Sequence, residues 1–122
     1  MEANKILDKF GNLVATEMFD SQYRFVLNKI EDLAQTEGYK KLFNGMSEEQ
    51  KKEIEYYTRE ILKGASFDFL RIFEEHPEFK IVYEENGQQV DLNKISEMLK
   101  AEPIIENGWI QKFSNELKSE NY

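Results

Sequence analysis

The sequence predicts a mainly helical α+β fold: a helical bundle with one long central helix (about 48–75) and a single antiparallel β-hairpin (about 79–92), followed by two short helices. Three observations predict it. Ser47-Glu48-Glu49-Gln50 is a capping box, in which a serine and a glutamine three residues on satisfy each other's backbone N–H groups. Beyond it, apolar residues recur at helical spacing as far as His76. After Pro77 the period changes to alternation around Asn86-Gly87, the strongest two-residue hairpin signal.

Residues 1–46 hold the N-terminal helices and a loop. Ile6, Leu7, Phe10, Leu13, Val14 and Met18 follow the spacing of an amphipathic helix, weakened by Gly11, which costs about 1 kcal/mol relative to alanine. Asp20 and Ser21 are good N-caps, so a break is expected near Phe19. A second helix then carries Tyr23, Val26, Leu27, Ile30, Leu33 and Ala34, and Gly38 and Gly45 bracket one loose helical turn.

The long helix occupies 47–76 with its caps. Its seam reads Ile54, Tyr57, Ile61, Ala65, Phe69 and Ile72 or Phe73. At 1.5 Å per residue it would be about 42 Å long. A domain of this size is roughly 35 Å across, so the helix should overhang or bend, with Gly64 the place for a bend. The hairpin fills 78–92. A two-residue turn pairs Glu85 with Gln88, Tyr83 with Val90 and Ile81 with Leu92, which puts Phe79, Ile81, Tyr83, Val90 and Leu92 on one face. In 93–118, Asp91 or Asn93 caps a helix with Ile95, Met98 and Leu99. Pro103 and Asn107-Gly108 precede a last helix with Trp109, Ile110, Phe113 and Leu117 on one face, and 119–122 reads as a frayed tail.

Composition narrows the function classes. The 122 residues suit a single domain, with roughly 7,000 Å² exposed when folded. Cysteine is absent, so thiolate catalysis, cysteine-ligated zinc and disulfides are excluded. A net charge of −8 argues against nucleic acid or an anionic membrane as partner, because both require a basic face. No apolar run approaches a membrane span, and the first residues lack a signal peptide's basic and apolar regions, so a soluble, cytoplasmic domain is expected.

Catalytic signals are sparse. The single histidine, His76, closes the long helix beside Glu74 and Glu75, where it reads as a last-turn residue favoured by the helix dipole rather than as a base or metal ligand. Glu48, Glu49, Glu53, Glu55 and Glu60 alternate with cations, the pattern of a solvated face. The glycine turns match no phosphate-binding pattern. No catalytic residue, cofactor or metal is therefore expected, and an Asp/Glu-based hydrolase ranks last among the functional readings.

The charge is unevenly spread. Glu74, Glu75, Glu78, Glu84 and Glu85 face only Lys80, so half the net charge falls in twelve residues at the helix–hairpin junction. These five glutamates form a candidate acidic patch for steering a basic protein partner, with Trp109 as a candidate interface anchor. The hairpin's free edges could also accept a strand.

From Phe69 onward the chain resembles a class of small, uncharacterised acidic bacterial proteins. The shared pattern is carried by Phe69-Leu70, Glu74-Glu75, Gly87 to Leu92, Ile95-Ser96, Gly108-Trp109-Ile110 and Lys112-Phe113-Ser114. Some members of that class resemble immunity proteins. The resemblance implies a shared fold and an acidic inhibitor that neutralises a basic toxin, and it assigns no functional residue. The alternative expectation is a scaffold forming a homodimer through the long helix or the hairpin edge.

Overall fold

Capping chemistry sets the largest element. In the computed structural model, which describes residues 2–117, Gln50 N donates to Ser47 Oγ at 3.1 Å and Ser47 N donates to Gln50 Oε1 at 2.9 Å. The box opens an uninterrupted helix, Glu48–Glu75, that runs through Gly64 and ends where Pro77 forces His76 out of helical geometry. The protein is α+β and mainly helical. In chain order its elements are α1 (Ala3–Leu13), a π-helical segment (Val14–Phe19), α2 (Asp20–Asn28), α3 (Ile30–Ala34), α4 (Lys40–Phe43), α5 (Glu48–Glu75), β1 (Val82–Glu85), β2 (Gln88–Asp91), α6 (Leu92–Ile95), a 3₁₀ turn (Leu99–Ala101) and α7 (Trp109–Phe113).

The first helix does not break at Phe19. Leu13, Phe19 and Asp20 all keep right-handed helical angles, and the chain widens into the π segment instead. The widening has a packing reason. In a continuous α-helix the turn angle would carry Phe19, Tyr23 and Val26 away from the side bearing Ile6 and Leu7. A π turn closes on the fifth residue rather than the fourth, and over this segment it turns the helix back by roughly 100°. All five side chains are buried.

Asp20 is accordingly no N-cap of α2. Its carboxylate is fully buried and accepts hydrogen bonds from Ser114 Oγ (2.5 Å), Asn115 N (2.8 Å) and Glu116 N (3.4 Å). Ser114 Oγ in turn accepts from Leu117 N at 3.2 Å. These bonds end α7 at Phe113 and bring Leu117 into the core through a turn rather than through the longer helix expected. The chemistry is that of a capping aspartate, applied to a segment 94 residues away. The tail expected to fray, 119–122, lies outside the described residues.

Two apolar clusters form the core. Ile6, Leu7, Leu70, Leu92, Leu99 and Trp109 make one; Phe19, Tyr23, Val26, Ile30, Ile110 and Leu117 make the other. Trp109 and Ile110, neighbours on α7, thus serve one cluster each. Gly11 is part of this packing rather than a weak point. A methyl group there would lie 2.4 Å from the Trp109 ring, so glycine is what lets the indole rest on α1.

The hairpin has the expected register, Tyr83 opposite Val90 and Glu85 opposite Gln88, with Asn86 and Gly87 both at positive φ as a type I′ turn requires. It is shorter than 79–92. Phe79 lies in a turn closed by its N–H to the His76 carbonyl and is exposed, and Leu92 opens α6 under the Asp91 cap. Met98, expected on that helix, lies beyond it and is exposed.

Candidate functional site

Six sequence candidates have definite surroundings. Trp109 is 2% exposed and meets Phe10 edge-to-face at 5.5 Å between ring centres, so it is a core residue that presents no surface to a partner. Glu74 is turned inward: its carboxylate lies 3.2 Å from Lys100 Nζ and accepts from Lys100 N at 3.3 Å, which fixes the 3₁₀ turn against α5. Glu75 pairs with Arg71 at 3.6 Å. Glu78 is exposed.

Glu84 and Glu85 are adjacent on a strand and therefore point to opposite faces of the hairpin. Glu84 accepts from Gln89 Nε2 at 3.2 Å. Glu85 accepts from the Tyr83 hydroxyl, and this hydrogen bond, with lesser help from desolvation and the carboxylate charge, raises the phenol above the ordinary tyrosine range. The five glutamates thus do not share one face. Glu74 has a structural partner, Glu75 is partly neutralised, and the remaining three are divided between the loop and two sides of a hairpin.

The long helix lies where the sequence predicts it, but much of its expected seam does not face the core. Of the expected seam, Ile54 and Phe73 are half-buried, but Tyr57, Ile61, Ala65, Phe69 and Ile72 face outward: Tyr57 is 63%, Ile61 52% and Phe69 59% exposed. The side turned to the core carries Ser66 and Leu70, both buried, with Leu62, Phe67 and Phe73 half-buried. Polar groups on this inner side find partners. Arg59 donates to the Tyr23 hydroxyl at 2.7 Å, Thr58 to the Ile54 carbonyl at 2.7 Å and Ser66 to the Lys63 carbonyl at 2.8 Å. Such neutralised polar residues made the true inner face look polar in the sequence.

The outward stripe opens into a groove of about 380 Å³ between α5 and the N-terminal helices, walled by Phe10, Val14, Met18, Ala65, Phe69 and Leu70. Two of the wall residues, Val14 and Met18, belong to the π segment, an irregularity often found where proteins bind. His76 is exposed at the end of α5. Among the described residues no group of three or more His, Cys, Asp or Glu side chains could hold a metal ion, and no helix is long and apolar enough to cross a membrane.

Comparison with protein-family models, curated proteins and solved structures finds no match to this chain in any of the three.

Proposed function

We propose that this chain is a non-enzymatic acidic protein whose task is to bind another protein, and that the partner is basic. The observation that carries the reading is the outward face of α5. Tyr57, Ile61, Phe69 and Ile72 are all exposed, on one side of one helix, in a chain with a net charge of −8. Scattered exposed apolar residues need no explanation, but a contiguous row of large ones marks an interaction surface. Acidic surroundings would speed encounter with a cationic protein and disfavour an anionic one. The most concrete form is an inhibitor of immunity type that covers a basic toxin, as the resemblance of the C-terminal half implies.

A homo-oligomer built on the same face is the second reading, because α5 offers a second copy the same apolar row. Two chains of charge −8 would then have to meet, which like-charge repulsion opposes.

Co-expression with the product of the adjacent reading frame, followed by purification at low and at high salt, tests the proposal. A stoichiometric complex that loosens as salt rises is expected. A chain that elutes alone as a monomer at every salt concentration contradicts partner binding. A homo-oligomer that persists on dilution, measured by light scattering, decides for the second reading.

A further inference from the structure

The groove and the stripe that leads into it carry enough chemistry to say what kind of segment they would hold. Ser66 is the single polar side chain on the groove's border, and its hydroxyl is committed to the Lys63 carbonyl. Pockets for small molecules place a few convergent polar groups among apolar walls to orient the ligand. This groove has none, so it suits the apolar side chains of a protein.

Helical geometry defines the rim. At 100° per residue, Glu53 and Glu60 project about 40–60° beyond Tyr57, and Asp68 and Glu75 project beside Tyr57 itself, so all four lie along the Tyr57 edge of the stripe. Arg71 is the one cation on that edge, and it is shared between Asp68 at 3.5 Å and Glu75 at 3.6 Å. Glu60 lies 3.7 Å from Lys63, a half-buried cation that offsets part of its charge. The edge is therefore acidic, and it complements cations and repels a second copy of itself.

Backbone satisfaction fixes the conformation of the occupant. An extended peptide gains affinity by pairing with a strand edge. A helix surface has no unpaired backbone to offer, so a segment lying on α5 has to satisfy its own N–H and C=O groups. From these observations we infer that the groove and outward stripe of α5 receive an amphipathic helix of another protein, apolar on the docked face and flanked by lysine or arginine. From Tyr57 to Ile72 the stripe is about 22 Å long, the length of four turns. Met18 at the wall supplies a side chain that adapts to different apolar shapes.

This inference rests on the protein-binding reading, and its test is separable from the test of that reading. Fluorescence anisotropy would follow three labelled peptides of about 18 residues added to the full chain: a Leu/Lys amphipathic helix, its Leu/Glu counterpart, and a Ser/Lys peptide of equal charge. The Leu/Lys peptide should bind saturably and at least about tenfold more tightly than either other. Ile61→Ser with Phe69→Ser should weaken it by a similar factor, and circular dichroism would show whether that variant folds. Glu60→Lys with Asp68→Lys, which leaves the core untouched, should transfer the preference to the Leu/Glu peptide. Equal binding of the Ser/Lys peptide, or binding indifferent to both variants, overturns the groove assignment while leaving partner binding to the salt experiment above. A dimer of the free protein that Ile61→Ser with Phe69→Ser abolishes would make a second copy the occupant and overturn it as well.

Discussion

The two long helical stretches of this protein are built from similar material and put it to different use. Over residues 3–28, α1, the π segment and α2 bury Ile6, Leu7, Ala15, Phe19, Tyr23 and Val26. Over residues 48–75, α5 buries only Ser66 and Leu70 and leaves five large apolar side chains exposed. A run of apolar residues at helical spacing therefore identifies a helix, but the rest of the fold decides which side is covered. The N-terminal stretch is wrapped by α7 and the turn after it, held through Asp20 and the seat for Trp109 at Gly11. The inner side of α5 is covered by α2 and the 3₁₀ turn, and its outer row of Tyr57, Ile61, Phe69 and Ile72 is exposed.

The contrast can be broken at its strongest point first. Asp20→Ala removes a buried acceptor shared by the buried Ser114 Oγ and two part-buried backbone N–H groups. Leaving buried donors without a partner should cost about 3 kcal/mol, read from urea unfolding, and the turn 114–117 should become the first part to exchange its amide hydrogens. A loss under about 1 kcal/mol would mean that the segment is held by packing alone.

Glycine gives the next comparison. Gly11 and Gly64 both lie inside helices, where alanine is normally better by about 1 kcal/mol. At Gly11 the added methyl would run into the Trp109 ring, so Gly11→Ala should destabilise by about 1–3 kcal/mol despite the gain in propensity. At Gly64 nothing lies within 4 Å, so Gly64→Ala should stabilise by up to about 1 kcal/mol. Opposite signs in denaturant midpoints sharpen the distinction between the wrapped stretch and the open one. Equal signs would remove it.

Legibility in the sequence followed the range of the interaction. The capping box at Ser47, the type I′ turn at Asn86-Gly87 and the stop at Pro77 are settled within four residues, and all three were readable. Asp20 was readable as a capping residue, but its partners come from the other end of the chain, and spacing gives no sign of them. The π turn hides for a related reason: one widened turn leaves local composition unchanged and shows only in which residues face the core together. On α5 the outer row is more apolar than the inner one, where Thr58 and Ser66 bond back to their own helix and Arg59 finds Tyr23, a partner that only the fold supplies. The candidate site was missed with it, because the residues assigned to the core are the ones that form the exposed face, while Trp109, a partner candidate, is in the core.

The facing of α5 carries everything proposed for this molecule, and two neighbouring residues test it most directly. Leu70 is 3% exposed and Phe69 is 59% exposed. Urea denaturation of the two alanine variants should show Leu70→Ala losing about 2–4 kcal/mol, and Phe69→Ala, which gives up only a partly covered ring, losing about 1 kcal/mol. The reverse order, with Phe69→Ala the more damaging, would turn α5 about its axis, bury the stripe, and leave no open face for a partner.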